Sequence, residues 1–556
     1  MKRLTRTEVD YAAWSELNDV GAFELAAMRT NAAALAVRPK ISLVQVVGEV
    51  DEMWARDGIE SVTKQAYPDW ELCITESGSR AKIDDILLGL SVDDRIRTLD
   101  ATKRGNVDAL GAAVGMATGD YVAIVGEGDQ LAPEALFRVV ELLQKVDADV
   151  IYTDEDHVDA VGQRSGPVFK PPWSPDLLLG TNYIGRLCVI RRDLVGKHDP
   201  RQSGHGAAAE HDLVLRACER AERIVHLPRI VYHRRSLEGH SIERGRPEAA
   251  FTAARFAATA ALARRGERRT AQARPAMEPN AVRVVRETRR KPTISVIVHT
   301  VSNRRGRPSV AKQLRDRSDS IHELIIAGQG ARRGRSAPIR AADLSAAAAN
   351  TAAEAATGEI LLFIEGWASL PQNPRWILDL AGHAQREEVG AVSGRVMNSD
   401  GTLRHGGMYT DVGGLIGPES EAAEAWGDKT LRARHVCNPQ AAAPELLAIR
   451  RTTFAEIGGF DAERVPSTFF ALDLSFRLEE RGALSVYTPY SALICSEPRR
   501  AAPRAEIRHM WRRWQPQLSW LLHYGWPPND VSHRTLDPGA FEEFMIKGNR
   551  AERLPA

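Results

Sequence analysis

The chain has 556 residues, more than one ordinary hydrophobic core can hold, so at least two domains are expected. Its 74 basic and 73 acidic residues leave a net charge of +1, which argues against nucleic acid as a partner. The five scattered cysteines lack zinc-ligand spacing and are typical of reduced, buried thiols. The sequence shows no signal-like or membrane-spanning apolar run, so we expect a cytoplasmic protein, either free or peripheral at the inner face of the membrane.

The first half of the chain alternates predicted helices and strands. Residues 1–39 are alanine-rich and are predicted to form a helical N-terminal segment. Two apolar runs at 41–47 and 70–75 follow as predicted strands, with a helical segment between them. Because this alternation is typical of a parallel, doubly wound sheet, we expect an α/β domain over residues 40–265.

The apolar run Tyr121–Val125 is the most informative of these strands. It is followed at once by Gly-Glu-Gly-Asp, which brings Glu127 and Asp129 to the end of the run. A short Val- and Ile-rich run with this ending is predicted to be a buried parallel strand. Its carboxyl edge is where open α/β sheets bind ligands, so a ligand site is expected there.

The second half of the chain repeats the first. Residues 266–291 are basic, contain proline and are predicted to be a linker. Two sets of residues then recur at fixed offsets: residues 117–120 at 356–359, and Asp212, Arg216 and Pro228 as Asp473, Arg477 and Pro489. We therefore expect a second copy of the domain at 292–500, followed by a C-terminal tail at 501–556.

Four long stretches resemble the bacterial family 2 glycosyltransferases, particularly the rhamnosyltransferase-like proteins of surface-polysaccharide clusters. They are ATGDYVAIVGEGDQLAPEAL, DVIYTDEDHVDAVGQ, FKPPWSPDLLLGTNYIG and RIVHLPRIVYHRR. The resemblance covers nearly the whole chain and implies two tandem GT-A domains, Rossmann-like folds for nucleotide-diphospho-sugar transfer. It also implies inverting transfer of a sugar from a nucleotide-sugar donor to a glycan or lipid-linked acceptor in cell-surface polysaccharide synthesis.

The resemblance implies a divalent metal, Mg²⁺ or Mn²⁺, at the donor diphosphate. The family holds it with an Asp-x-Asp-Asp motif, and here Asp129 matches the last acid while Glu127 is displaced by one position. His233 matches a histidine with which the family commonly reaches the metal or diphosphate. The alternatives are an acidic turn that caps the next helix and a structural histidine. At the end of its strand, Asp129 is expected to be exposed.

The resemblance assigns the catalytic base to Glu210, in a motif that the family writes Asp-x-Asp-Leu. Asp212, in the same motif, is the second candidate for the base, although it could instead orient the start of a helix. The alternative for both acids is that they stabilise the helix N-terminus through its dipole. Glu76, after the second strand, matches the acid that contacts the base and ribose of the nucleotide, usually an Asp.

Five further residues match the acceptor side of the family: Asp154, Glu155, Asp156, Trp173 and Tyr183. The three acids match an acidic motif, and the two aromatic rings could stack on sugar faces or pack in the core. The tail mixes aromatic and basic residues, so it either lies in a membrane interface or docks onto the second domain.

The second copy serves as an internal control for these assignments. Gly366, Ala368, Ala471 and Ile494 occupy the positions of Glu127, Asp129, Glu210 and His233. This domain is therefore predicted to be degenerate and to serve acceptor binding or assembly. A non-catalytic glycosyltransferase-like protein that binds glycan or another transferase is the alternative for the whole chain. The altered acidic motif and Gly111, where the family has asparagine, favour that alternative.

Overall fold

The computed structural model divides the chain into two compact units, Met1–Val284 and a second that begins at Val285. It describes residues 6–48, 51–76, 83–88, 93–100, 109–196, 207–237, 240–241, 247–278, 280–287, 291–299, 310–315, 321–327, 345–366, 368–371, 375–407, 409–411, 414–416, 431–495 and 503–518. The predicted polar break after Glu76, at residues 77–79, lies outside these ranges.

The strands of unit 1 are β1 (Ile41–Val47), β2 (Trp70–Glu76), β3 (Ile96–Asp100), β4 (Tyr121–Val125), β5 (Gln130–Leu131), β6 (Val150–Val158), β7 (Arg164–Val168), β8 (Val189–Arg191), β9 (Ile224–Leu237), β10 (His240–Ser241), β11 (Ala271–Pro275) and β12 (Val282–Arg286). Its helices are α1 (Arg6–Asn18), α2 (Ala22–Asn31), α3 (Glu52–Thr63), α4 (Ile83–Leu88), α5 (Ala109–Met116), α6 (Ala135–Leu143), α7 (Pro175–Gly180), α8 (Arg192–Val195), α9 (Ala207–Arg220) and α10 (Pro247–Arg264).

One mixed sheet dominates unit 1, in the order β10-β9-β6-β8-β4-β1-β2-β3. Strands β1 to β4 are parallel as predicted, but β8 is antiparallel to both β4 and β6. A parallel strand would need a crossover back to the opposite edge of the sheet. The chain instead enters β8 from the carboxyl edge of β4, where the amide of Leu187 bonds to the carbonyl of Ile124. The predicted parallel arrangement thus holds for β1 to β4, and β8 departs from it.

The core of unit 1 lies between this sheet and its helices. All five residues of β4 are buried, because a Val- and Ile-rich central strand is covered on both faces. Helix α6 turns Leu136, Val139, Val140 and Leu143 toward the sheet at helical spacing. These residues belong to the same core cluster as Tyr121, Ala123 and Val125 of β4.

The helices of the N-terminal segment pack onto unit 1. The hydroxyl of Tyr11 donates to Oδ2 of Asp156 at 2.5 Å, and Arg164 bonds to both Asp156 and Asp19 at 2.6 Å. The ring of Trp14 meets Phe169 edge to face, with centroids 5.7 Å apart. The segment is therefore anchored by polar and aromatic contacts.

The stretch 266–291, predicted as a linker, contains a two-stranded sheet formed by β11 and β12. Val282 and Val284 of β12 are buried while the Arg between them is not, which is the alternation of a half-buried strand. The sequence analysis did not predict this strand, because the alternation is short and lies in a basic stretch. The division between the units falls inside this stretch.

The strands of unit 2 are β13 (Ile294–His299), β14 (Glu323–Ala327), β15 (Ile360–Glu365), β16 (Ala368–Ser369), β17 (Val389–Asn398), β18 (Leu403–His405), β19 (Tyr409–Asp411), β20 (Gly414–Ile416), β21 (Leu446–Arg450) and β22 (Leu484–Cys495). Its helices are α11 (Val310–Arg315), α12 (Ala346–Glu354), α13 (Trp376–Ala384), α14 (Leu431–Arg434), α15 (Arg451–Glu456), α16 (Phe470–Glu479) and α17 (Arg504–Leu518).

The sheet of unit 2 repeats that of unit 1, in the order β14-β13-β15-β21-β17-β22-β16. Each neighbouring pair has the same direction as its counterpart, including the antiparallel β21 between β15 and β17. The register repeats as well: Gln130 pairs with His233, and Ser369 pairs with Ile494. These two pairs reproduce both sequence offsets, so the predicted duplication and its α/β fold are confirmed.

The duplication extends to individual hydrogen bonds. In unit 1, Glu71 accepts from the hydroxyl of Ser42 at 2.6 Å and from the amide of Thr118 at 2.6 Å. In unit 2, Glu323 accepts from Ser295 at 2.5 Å and from Thr357 at 2.6 Å. Burial alone would raise the pKa of Glu71, but the hydrogen bonds from Ser42, Thr118 and Lys40 outweigh burial and lower it to about 2. Both copies thus bind the Thr-Gly turn before their central strand in the same way.

The described part of the tail docks onto unit 2. Met510 and Trp514 of α17 are fully buried, and the Trp514 ring packs against Phe476 with centroids 5.3 Å apart. Glu506 accepts hydrogen bonds from the amides of Ser467, Thr468 and Phe469. Of the two roles considered for the tail, docking is the one seen here, and residues 519–556 lie outside the described ranges.

Candidate functional site

The turn Gly126–Asp129 lies at the carboxyl end of β4. Gly128 has φ +75°, a conformation that favours glycine, and lets the chain reverse into β5. The carbonyl of Gly126 accepts from the Gln45 side chain at 2.9 Å, and its amide donates to the Tyr232 hydroxyl at 2.7 Å. Strands β1 and β9 therefore hold the turn in place from both sides.

Asp129 is buried, with 5% of its surface exposed, and the expectation of an exposed carboxylate is wrong. It accepts hydrogen bonds from Nη1 of Arg186 at 3.0 Å, the hydroxyl of Tyr232 at 2.7 Å and the amide of Arg235 at 2.8 Å. The physical reason is that β5 pairs with β9 immediately after the turn. Burial and the charge of Asp129 raise the pKa of Tyr232, which keeps its proton for this bond.

Arg186 connects Asp129 with Glu210. Its Nη1 lies 3.0 Å from Oδ2 of Asp129, and its Nε lies 3.6 Å from Oε2 of Glu210. A Cβ atom at Gly126 would collide with Nη1 of Arg186 and with the Asp129 carboxylate. The guanidinium therefore fills the space that a side chain at position 126 would need, which explains the glycine.

Glu210 and Asp212 share helix α9 but have different environments. The Glu210 side chain is 24% exposed and lies in the first turn of the helix. The Asp212 side chain is 1% exposed, and its two oxygens accept from Arg216 at 3.0 Å and Arg264 at 2.7 Å. Because both of its oxygens are paired with arginine, Asp212 is not suited to take a proton from an acceptor, in contrast to its expected place as the second candidate for the base.

The two other donor-side acids also lie at carboxyl ends of strands. Glu127 is half-buried, and its Oε1 accepts from the amide of Gly48 at 2.7 Å. Glu76 is the last residue of β2, half-buried, and lies in register with Val47 on one side and Asp100 on the other. Both acids therefore lie at the same edge of the sheet as Asp129.

His233 pairs with Asp156 rather than with Asp129. Its Nδ1 lies 2.6 Å from Oδ1 of Asp156, whose other oxygen accepts from Arg164 and Tyr11. Burial would raise the pKa of Asp156, but the charges of His233 and Arg164 outweigh it and lower that pKa. The predicted metal set of Asp129, Glu127 and His233 is not formed, because the adjacent strand β6 supplies a carboxylate in register with the histidine.

Asp154 and Glu155, predicted on the acceptor side with Asp156, are also buried in β6. Asp154 accepts from the amide of Lys170 and lies 2.8 Å from Nε2 of His226. Glu155 pairs with Nζ of Lys170 at 2.9 Å and with Arg234 at 3.2 Å. Both acids matched the acceptor side of the family, but their carboxylates are paired with cations from β9 and from the segment after β7.

The two aromatic candidates differ in burial. The hydroxyl of Tyr183 accepts from the amide of Ser174 at 3.0 Å, and its ring meets Tyr152 edge to face. Tyr183 is 6% exposed and belongs to the core, so it does not offer a sugar-stacking face. Trp173 is half-buried and keeps part of its surface exposed.

The side chains at the turn do not fit the divalent metal that the family resemblance implies. A hard cation needs charged oxygen ligands, and Asp129 already offers its oxygens to three donors, one of them a guanidinium. His233 is paired elsewhere. In the part of the chain that the structure describes, no group of three or more His, Cys, Asp and Glu side chains could hold a metal ion.

Unit 2 carries the opposite charge at the position that matches Arg186. Arg191 pairs with Tyr121 in unit 1, and Arg450 pairs with Ile360, the residue that repeats Tyr121, in unit 2, so the two arginines occupy matched positions. Arg186 and Glu445 each lie five residues before these arginines and are therefore matched as well. Glu365 likewise matches Gly126. Glu445 contacts Arg404 at 3.2 Å and His405 at 3.1 Å. The counterpart of Glu210, Ala471, is buried in an apolar core.

His211, which lies beside Glu210, gives a prediction for stability against pH. It is fully buried, with Nε2 2.6 Å from the carbonyl of Leu178, and burial lowers its pKa to about 4. An unfolded histidine titrates near ~6.5, so this contribution to stability is complete above that pH and is lost as the pH falls toward 4. From about pH 7.5 to about pH 5 we expect a loss of about 2 kcal/mol.

The measurement is urea unfolding of the parent and of His211→Gln at both pH values. Glutamine retains a donor for Leu178 but does not titrate, so the difference in pH dependence between the two proteins isolates the imidazole. Equal pH dependence in both proteins would contradict this assignment.

The sequence interpretation missed three residues at the site: Arg186, Tyr232 and Gln45. Arg186 directly follows the stretch that ends at Gly185, so its position beside a recognised motif was the available signal. Tyr232 and Gln45 lie inside strands, where no local pattern marks a side chain that bonds to a distant turn.

A family model described as "Glycosyl transferase family 2" matches residues 49–195. The match includes the turn, Asp129 and Arg186, and it ends before helix α9. Within the described residues, no helix has the length and apolar character needed to cross a bilayer.

Two curated proteins are similar over most of the chain. The O-antigen biosynthesis protein RfbC of Myxococcus xanthus is 31% identical over 93% of this chain and 42% of its own length. The uncharacterized protein y4gI of Sinorhizobium fredii (strain NBRC 101917 / NGR234) is 28% identical over 86% of this chain and 56% of its own. The chain thus spans about half the length of these relatives.

Among solved structures, that of S. aureus TarS residues 1–349 in complex with UDP-GlcNAc is similar, with 18% sequence identity and a TM-score of 0.33. The similarity covers 40% of this chain and 66% of that chain. The family match, together with the duplicated α/β units, confirms the predicted GT-A fold with a second domain of the same topology. Residues 49–195 of the first unit therefore match the glycosyl transferase family 2, and the chain as a whole is similar to an O-antigen biosynthesis protein.

Proposed function

We propose that the chain transfers a sugar from a nucleotide-sugar donor to a glycan or lipid-linked acceptor in cell-surface polysaccharide synthesis. The observation that carries the proposal is the arrangement of Asp129, Arg186 and Glu210 at the carboxyl edge of the sheet. It brings a fixed cation, inside the stretch that matches family 2, next to a partly exposed carboxylate on the helix that follows that stretch. Similarity to an O-antigen biosynthesis protein supports a role in the synthesis of a cell-surface polysaccharide.

Glu210 is the proposed base. It takes the proton of the acceptor hydroxyl as that oxygen bonds to the anomeric carbon and the nucleoside diphosphate leaves with the electron pair of the broken bond. With one base and one displacement, the configuration at the anomeric carbon inverts. Among the acids of helix α9, the partial exposure of Glu210 supports this role over Asp212.

Other residues are proposed to bind the substrates. Glu76 and Glu127, at the ends of the donor-side strands, contact the nucleotide side, and Trp173 offers a partly exposed ring on the acceptor side. His233 orients β9 beside the site through its bond to Asp156. Because the side chains at the turn do not fit a divalent metal, the proposed reaction does not use Mg²⁺ or Mn²⁺.

Unit 2 is proposed to have no part in the bond-making step and to serve acceptor binding or assembly. Its matched positions carry Glu445 and Ala471 in place of Arg186 and Glu210. We place the protein in the cytoplasm, either free or associated with the inner face of the membrane where a lipid-linked acceptor would lie.

The test is release of nucleoside diphosphate from UDP-, dTDP- and GDP-linked sugars by the purified chain, measured with and without lipid-linked acceptor. We expect slow hydrolysis of one donor class and faster release with acceptor. No release from any donor class under either condition would favour a non-catalytic glycan-binding protein.

A further inference from the structure

Arg186 is placed where a donor diphosphate would meet it. Its side chain is 21% exposed and lies at the carboxyl edge of β4, between the buried Asp129 and the partly exposed Glu210. Ligands of open α/β sheets bind outside this edge. A guanidinium is permanently charged, and its fork of donors matches the oxygens of a phosphate.

The guanidinium is held in position rather than free to swing. Asp129 is fixed by the Tyr232 hydroxyl at 2.7 Å and the Arg235 amide at 2.8 Å, and in turn accepts from Nη1 of Arg186 at 3.0 Å. Arg235 is itself buried, and its Nε donates to the carbonyl of Gly128. Asp129 thus acts as a positioning residue for the cation.

A metal carboxylate at position 126 would require the side chains of Arg186 and Asp129 to move. A side chain there would collide with the guanidinium, and an ion at Asp129 would lie against a like charge or displace Arg186. In unit 2 the matched positions carry Glu365 and Glu445, so arginine and glycine occur together in unit 1 and are both replaced in unit 2. The Arg186 guanidinium and the absence of a side chain at Gly126 therefore depend on each other.

We propose that Arg186 supplies the fixed positive charge that binds the donor diphosphate, so that nucleoside diphosphate binding by unit 1 does not require a divalent metal. This inference rests on the proposed function, because it assigns the charge partner of the same donor. Arg186 stays charged throughout, and it offsets the negative charge that grows on the diphosphate as the bond to the sugar breaks.

The experiment is calorimetric titration of the full chain with UDP, dTDP and GDP, once in EDTA and once with Mn²⁺. We expect one of these to bind in EDTA with an affinity within about threefold of that in Mn²⁺. Arg186→Gln keeps a donor for Asp129 but removes the charge, and we expect it to weaken binding about ten- to a hundredfold, the usual worth of a charged hydrogen bond. Arg186→Lys should retain part of the affinity.

Arg191→Gln is the matched control, because Arg191 ends β8, pairs with Tyr121 at the opposite end of β4 from the turn and forms an ion pair with Asp147. It should bind like the parent, and thermal unfolding should show that all variants are folded. Binding that needs Mn²⁺ and is equal in Arg186→Gln and the parent would overturn this inference and leave the proposed function intact. No binding by the parent in either buffer would overturn both.

Discussion

Replacing Glu210 with glutamine is expected to lower turnover by about two to four orders of magnitude, the usual worth of general base catalysis. Affinity for the nucleoside diphosphate should change little, because the donor charge is proposed to be met by Arg186 and not by this carboxylate. Glutamine has nearly the same shape but cannot accept the proton of the acceptor hydroxyl. The measurement compares steady-state sugar transfer with calorimetric diphosphate binding in the same preparation.

Glu219→Gln is the control for this prediction. Glu219 lies on the same helix, but its carboxylate pairs with Arg264 at 2.7 Å and Arg265 at 3.1 Å, away from Arg186. Its turnover should match that of the parent. If Glu210→Gln turns over as fast as the parent, the base is elsewhere. Asp212 would then be a poor successor because arginines hold both of its oxygens.

The duplicated fold could be predicted from sequence because it depends on short, local patterns. Ala-Thr-Gly before a central strand and Asp-x-x-x-Arg on a helix each make their bonds within one element or between neighbouring strands. Asp212 bonds to Arg216 and Asp473 bonds to Arg477 with the same i,i+4 spacing. A repeat of such local patterns at fixed offsets is visible without coordinates, and the strand registers confirm it.

The burial and the hydrogen-bond partners of the acids at the site could not be predicted in the same way. The three donors to Asp129 come from residues 57, 103 and 106 positions away in the chain. The end of a strand next to glycine is usually open, which led to the expectation of an exposed carboxylate. Whether a later strand closes over such a turn depends on sheet topology, and the antiparallel entry of β8 brings Arg186 to it.

The acidic run of β6 shows the same limit. Three consecutive acids indicate a solvated edge when their partners are unknown. In the fold their partners are His226, Lys170, Arg234 and Arg164, which come from flanking strands and loops. A buried charge is tolerated when it is paired, so the run serves as the polar centre of the sheet. No local pattern distinguishes the two cases.

Replacing Trp514 with alanine is expected to lower the free energy of unfolding of unit 2 by about 3–5 kcal/mol, the usual cost of truncating a buried aromatic. The Trp514 side chain is fully buried among Phe476 and its neighbours, and its Nε1 donates to Oδ1 of Asp473 at 3.0 Å. The variant thus leaves a cavity and removes one partner of a buried carboxylate. Because unit 2 is proposed to take no part in bond making, diphosphate binding should not change.

Arg264→Ala is the matched change in unit 1, since Arg264 donates to Oδ1 of Asp212 as Trp514 does to Asp473. Its side chain is partly exposed, so we expect a smaller loss of about 1–2 kcal/mol. The measurement is denaturant unfolding followed by circular dichroism, with and without the nucleoside diphosphate that binds. The unit 1 transition is the one whose midpoint rises when the diphosphate is present. Trp514→Ala should move only the other transition. If it instead moved the ligand-sensitive transition or abolished binding while the chain stayed folded, unit 2 would be part of the donor site and the proposed division between the two copies would be wrong.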